Sequence, residues 1–373
     1  LIARAIGAGD PRTANEAARQ SAVLNLALSL VMAVLGYAAA PAVVAVMGGS
    51  GEALRLGTLY LRWTALFFPM QSLTLGLSAV LRGAGDTVSP LRINALANVL
   101  TVLLGYPLIY GLAGVPGLGI VGAALATGMA KGVALALLAA NLLSGRGRVR
   151  IPREGAGWRP DLARRIITVG APAAGEQLVM RMGMVLFTRL VAGLGTETFA
   201  AHQIALNVLG LSFMPGMAFA VAATTLVGQC LGAGQPDAAE RAGWEVRRRA
   251  MGVTITMAGA YFALGPWIVA LYSQDPLVIS QGALALKIMA LAVPAQTTQF
   301  VLAGALRGAG DTRWPLYATA AGMWGVRVAL GVLFVSAGWG LAGAWSAMVL
   351  DQMARSVFIY LRFRAGAWKA LTV

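Results

Sequence analysis

The segment Leu81-Arg82-Gly83-Ala84-Gly85-Asp86-Thr87 returns letter for letter as Leu306-Arg307-Gly308-Ala309-Gly310-Asp311-Thr312, 225 residues later. The same offset aligns Arg62 with Lys287, Pro69 with Pro294 and Gln71 with Gln296, and from Thr58 to Thr87 it yields 14 identities in 30 positions. Ile6-Gly7-Ala8-Gly9 answers Leu231-Gly232-Ala233-Gly234 at that offset too, while Gly119 and Gly122 answer Gly340 and Gly343 at 221. A chain that repeats itself over so long a register folds as two related halves of one orientation. The Arg-, Gly- and Pro-bearing stretch 144–161 marks the boundary, giving 1–150 as one lobe and 151–373 as the other. Leu1 pairs with Leu226 while the second half starts near Arg165, so about 60 residues of the second half have no partner in the first. A complete protein of six plus six helices is therefore expected, its first two helices lying upstream of this chain.

Outward from the repeat, composition decides the solvent. The 373 residues are 58% hydrophobic and 12% charged, against about 25% charged in an ordinary soluble domain. The apolar residues fall into ten runs between residues 22 and 362, each of roughly 20 to 28 residues, the length that crosses a bilayer core. In lipid each such run must be helical, because the backbone finds hydrogen-bond partners only within itself. The expected fold is an all-α integral membrane protein of two parallel-repeat helical lobes, with ten spans in this chain.

A net charge of +15 raises nucleic acid as a partner, but the placement of the charge excludes it. Lys and Arg gather in alternate loops: 1–20, 81–92, 144–165, 230–250, 306–314 and the tail. The loops between, near 48–53, 113–118, 193–198, 273–276 and 337–339, carry none. That alternation is the positive-inside pattern, and it places both ends of this chain in the cytoplasm. The single Cys230 falls in a basic loop, which leaves no disulfide framework.

The repeated loops contain Gly-x-Gly without a preceding strand, so they read as tight helical hairpins, not nucleotide cradles. Gly83 and Gly308 are expected as left-handed helix caps, and Asp86 or Thr87, with Asp311 or Thr312, as caps of the next helices. The one histidine, His202, reads as a hydrogen-bonded polar residue near a helix end. No metalloprotease, phosphate-loop, serine-hydrolase or paired-cysteine motif occurs, which argues against an enzyme.

Ionisable and amide residues inside spans are the functional candidates, since burying them in lipid is costly. Glu176 leads. It lies eleven residues beyond Arg165, about 16 Å along a helix, and follows Pro172, which deprives a carbonyl near residue 168 of its helical donor. A carboxyl there holds a proton or small cation; the alternative is a structural pair with Arg181 or another buried base. Asp351 and Arg355 form an i,i+4 pair whose structural role is the favoured one. Gln71 and Gln296 each follow a helix-bending proline by two residues and are expected to line a cavity, with Asn94, Asn98, Asn207 and Gln299 as further lining.

In combination these residues resemble the MATE (multidrug and toxic-compound extrusion) family. The likeness rests on Ala200-Ala201-His202-Gln203-Ile204, Phe213-Met214-Pro215-Gly216-Met217, Val227-Gly228-Gln229-Cys230-Leu231-Gly232-Ala233-Gly234, both repeated loops, and the closing Asp351-Gln352-x-x-Arg355 with Arg362-Phe363-Arg364. The resemblance implies alternating access in the cytoplasmic membrane of a prokaryote, by a monomer that exports small cationic or amphipathic compounds. It implies no cofactor beyond a coupling ion, H+ or Na+. Glu176 matches the acidic seventh-helix position of sodium-type members, but Gln296 stands where those members carry Asp, which points to the proton-coupled DinF-like branch. The alternative within the superfamily is a lipid-linked saccharide flippase; outside it, a channel or membrane scaffold.

Overall fold

The computed structural model describes residues 1–112, 115–144, 147–151 and 158–371; Arg146 and Arg153 of the basic loop, with part of the boundary stretch 144–161, lie outside them. Ile2–Ile166 pack as one unit and Ile167–Val373, with Leu1, as another. The first holds α1 (Ile2–Gly7), α2 (Pro11–Val46), α3 (Gly51–Gly83), α4 (Val88–Tyr110), a two-residue antiparallel pair β1 (Gly111–Leu112) and β2 (Val115–Pro116), and α5 (Ile120–Leu143). Then α6 (Pro160–Ala192) opens the sequence of α7 (Thr196–Gly232), α8 (Pro236–Ala270), α9 (Pro276–Ala290), α10 (Val293–Gly308) and α11 (Arg313–Ala320). A π-helical segment (Ala321–Val328), α12 (Ala329–Ser336), α13 (Gly340–Arg364) and a short 3-10 turn (Ala367–Ala370) complete the chain. The protein is helical almost throughout, as composition requires.

Among the described residues, seven helices are long and apolar enough to cross a membrane, counting Arg313–Ser336 (α11, the π segment and α12) as one, and α9 with α10, bent by 53°, make an eighth if the bent pair is one span. Of the ten expected runs, the two left over correspond to α6 and α13, and each carries a buried acid, Glu176 or Asp351. Helix α6 also carries exposed Arg181 and Arg189, and α13 the buried Arg355, and all of these charges lower apolarity. Exposed Leu28, Val34 and Leu35 on α2, and Val102, Leu103 and Tyr106 on α4, form a surface that suits hydrocarbon and not water.

The repeated loops show how sequence becomes turn. At both, the helix closes with a six-residue bond, Asp86 N–H to Leu81 O at 2.9 Å and Asp311 N–H to Leu306 O at 2.8 Å. The left-handed residue that permits this is Gly85 (φ 94°) and Gly310 (φ 84°), not Gly83 and Gly308 as expected. Gly308 serves close approach instead: a Cβ there would strike the Thr224 carbonyl on α7. Thr224 in turn donates to Gly304 O at 2.7 Å, so α7 and α10 meet backbone to backbone. The two copies then diverge. Asp86 caps α4 through the amides of Ser89 (2.9 Å) and Val88 (3.1 Å); Asp311 is buried and pairs with Arg362 on α13 at 2.8 Å.

The prolines diverge as well. Pro69 lies inside α3 without ending it, whereas Pro294 sits in the first turn of α10, just past the 53° bend. The core of the second unit comprises one cluster around Phe187, Met289 and Trp345 and another around Leu302, Leu306 and Phe363. Trp368, in the terminal turn, stacks on Phe363 at 4.7 Å and donates to its carbonyl. The first unit is held by Leu77, Leu81, Leu138 and Leu142.

Candidate functional site

Besides the Asp311–Arg362 pair, two further buried ionic sites among the described residues of the second unit are built from residues distant in sequence. At the first, Glu176 on α6 is 5% exposed. Arg307, in the last turn of α10, places Nη2 2.7 Å from each carboxylate oxygen. Thr319 on α11 donates its hydroxyl to Oε1 at 3.2 Å. Three helices thus converge on one carboxylate. The expected partner Arg181 takes no part: five residues along a helix is roughly 140° around it, and Arg181 faces outward, exposed. The partner is instead a half-buried base, Arg307, from the second repeated loop.

At the second site Asp351 is fully buried. Arg355 donates to its Oδ2 at 2.5 Å, the expected i,i+4 contact. Arg327, which sequence reasoning missed, contacts the same oxygen with Nε at 2.8 Å and Nη2 at 2.7 Å. The available signal was Arg327 itself, a cation in an apolar run with no acid within a helical turn. It lies in the π segment, where Gly322 allows the helix to press on the pair: a Cβ at 322 would meet Asp351 Oδ1 and the Arg355 side chain. Insertions of this kind are recurrent at functional positions. One carboxylate against two guanidiniums leaves a net positive charge enclosed by protein.

The amide candidates scatter. Gln296 and Gln299 are buried on α10, with Nε2 of the first and Oε1 of the second lacking a partner among the described residues. Asn207 is exposed and bonds back to Gln203 O at 3.0 Å. In the first unit Gln71 is exposed and lines a pocket of about 240 Å³ with Tyr60, Thr64, Phe67 and Lys131. Asn94 ties α4 to α3 through Ser78 Oγ at 3.2 Å and bonds Pro90 O at 2.8 Å, while Asn98 is exposed. Arg62 lies 5.0 Å over the Tyr37 ring, and its repeat counterpart Lys287 is exposed. His202 departs from expectation: it is fully buried among Phe187, Phe199 and Trp345, and neither ring nitrogen has a partner among the described residues.

Comparison with known proteins bears on the whole chain. The family model described as MatE matches residues 1–107 and 172–333, a span that includes Glu176, Arg307, Thr319 and Arg327. A probable multidrug resistance protein NorM of Thermotoga maritima is 30% identical over 378 residues, covering 100% of this chain and 80% of its own length. The multidrug resistance protein PmpM of Pseudomonas aeruginosa is 29% identical, covering 98% of this chain and 78% of its own. In fold, the solved structure of a MOP superfamily transporter from Pyrococcus furiosus superposes with a TM-score of 0.92 at 23% identity, over 100% of this chain and 83% of that one.

Proposed function

The chain belongs to the MatE family of membrane transporters, and on that premise we propose that it is a cation-coupled antiporter exporting organic cations by alternating access. The observation that carries this reading is Glu176, an enclosed carboxylate already matched to a cation, the Arg307 guanidinium at 2.7 Å. A carboxylate in such a place binds either a coupling ion or a cationic substrate, and that exclusivity is the coupling between them. The names of the Thermotoga and Pseudomonas relatives, both multidrug resistance proteins, support drug-like substrates over a lipid-linked saccharide. We take the coupling ion to be the proton, and the chain to be DinF-like, because α10 carries Gln296 and no carboxylate. Residues 1–150 and 151–373 are read as the two lobes, working as a monomer in the cytoplasmic membrane of a prokaryote with both ends of the chain inside.

The test is ethidium efflux from proteoliposomes under an imposed pH gradient. Glu176→Gln keeps shape and hydrogen bonding but does not ionise, so gradient-driven efflux is abolished at unchanged protein yield. Glu176→Asp retains part of the activity. Normal efflux by a well-folded Glu176→Gln protein would rule out the exchange role.

A further inference from the structure

Three buried acids of the second unit, Glu176, Asp311 and Asp351, are each held by arginine, and Glu176 and Asp351 are held in different ways. Arg327 grips Asp351 side-on, through Nε and Nη2 together, and its side chain is 6% exposed. Arg307 meets Glu176 end-on, through Nη2 alone, and its side chain is 30% exposed. A guanidinium used as a fork is fixed in position, whereas one used by a single terminal nitrogen gives up one contact point when it leaves. The Arg307 side chain is not sealed in, since 30% of it is exposed where that of Arg327 is 6% exposed. Its backbone is not free to follow: Gly308, the next residue, abuts the Thr224 carbonyl of α7. The arm swings and the helix stays.

We propose that Arg307 is a tethered stand-in for the transported cation, occupying the Glu176 carboxylate when neither coupling ion nor substrate does and displaced when one binds. The inference rests on the reading of Glu176 as the exchange site. A permanently empty carboxylate in lipid carries a desolvation cost that invites protonation. With Arg307 in place the site stays neutral between occupants, and an incoming cation must compete with an internal one. Thr319 continues to donate to Oε1 during the exchange, holding the carboxyl in one orientation while its cation changes. Arg307 is therefore a positioning and competing residue, not one that touches the cargo.

If the arm holds the carboxylate about nine-tenths of the time, its removal tightens binding about tenfold. Binding of tetraphenylphosphonium to the purified protein is the first measurement: Arg307→Gln binds it about tenfold tighter than the parent protein, Glu176→Gln loses binding, and the double variant matches Glu176→Gln. The second uses the parent protein: phenylglyoxal modification of Arg307, followed by peptide mass spectrometry, accelerates when tetraphenylphosphonium is added and is already fast in Glu176→Gln. Retained binding by Glu176→Gln sinks the exchange-site reading itself. Loss of binding in Glu176→Gln together with unchanged or weaker binding in Arg307→Gln overturns the stand-in alone. Where Arg307→Gln does not fold, unchanged or slower modification of Arg307 on adding tetraphenylphosphonium overturns it.

Discussion

At the scale of single residues, the Asp351 site obeys a charge count. Two guanidiniums share one carboxylate, so removing different members leaves different residues of charge behind. Asp351→Asn strands two buried cations, and breaking a buried pair from one side costs about 3–5 kcal/mol. Arg327→Met leaves the Asp351–Arg355 pair intact and electrically neutral, so it costs clearly less although it forfeits the Phe187 contact at 5.8 Å. Thermal unfolding in detergent separates them: Asp351→Asn melts well below Arg327→Met, and the reverse order would show that the triad is not held by charge. Half of this site was legible in advance. Asp351 and Arg355 lie within one helical turn, where spacing alone brings side chains together. Arg327 and Asp351 lie 24 residues apart on different helices, and Arg307 lies 131 from Glu176, so only packing brings them into contact. The rule that an acid in a span needs a partner pointed to the sites and left their partners open.

At the scale of elements, the repeated loop shows one sequence in two environments. Gly83 and Gly308 occupy the same place in identical heptapeptides. A Cβ at Gly83 would meet Ile2 and the Ala3 amide at ordinary contact distances of 3.6 to 3.9 Å, whereas at Gly308 it would strike the Thr224 carbonyl. Both residues are helical, so in each the exchange of Gly for Ala gains up to about 1 kcal/mol of helix propensity. At 83 nothing opposes that gain, and Gly83→Ala leaves the melting temperature equal or higher. At 308 the helices α7 and α10 must separate to admit the methyl group, and Gly308→Ala lowers it. A fall of equal size in both variants would mean that α7 and α10 do not pack through this glycine. The letters announced a helical hairpin twice and were right about the element. They placed the left-handed glycine two residues early, because the Gly-Ala-Gly run offers two glycines and only hydrogen-bond geometry distinguishes the one with positive φ.

At the scale of the whole molecule, hydropathy and charge read different parts of the same architecture. The helices found by apolarity alone leave out α6 and α13, which carry the buried Glu176, Asp351 and Arg355 and, on α6, the exposed Arg181 and Arg189. Charge in the loops then orients the set. If the basic loops are cytoplasmic, the turn before α7 and the turn before α9, which lack Lys and Arg, face outward, and residues near 150 face inward. Single cysteines test this in a Cys230→Ser background, at Glu197, Gln274 and Arg150, all exposed positions outside the packed core. Gln274 is preferable to its neighbour Asp275, whose carboxylate caps α9 through the amides of Leu277 and Val278. In intact cells a membrane-impermeant maleimide labels Glu197→Cys and Gln274→Cys but reaches Arg150→Cys only after the membrane is permeabilised. The two outer positions also test the parity of the spans between them: α7 and α8 together must return the chain to the side it left. Labelling of Arg150→Cys in intact cells would invert the whole set, since a helical chain with alternating loops has only two orientations and this residue lies on the opposite side in each.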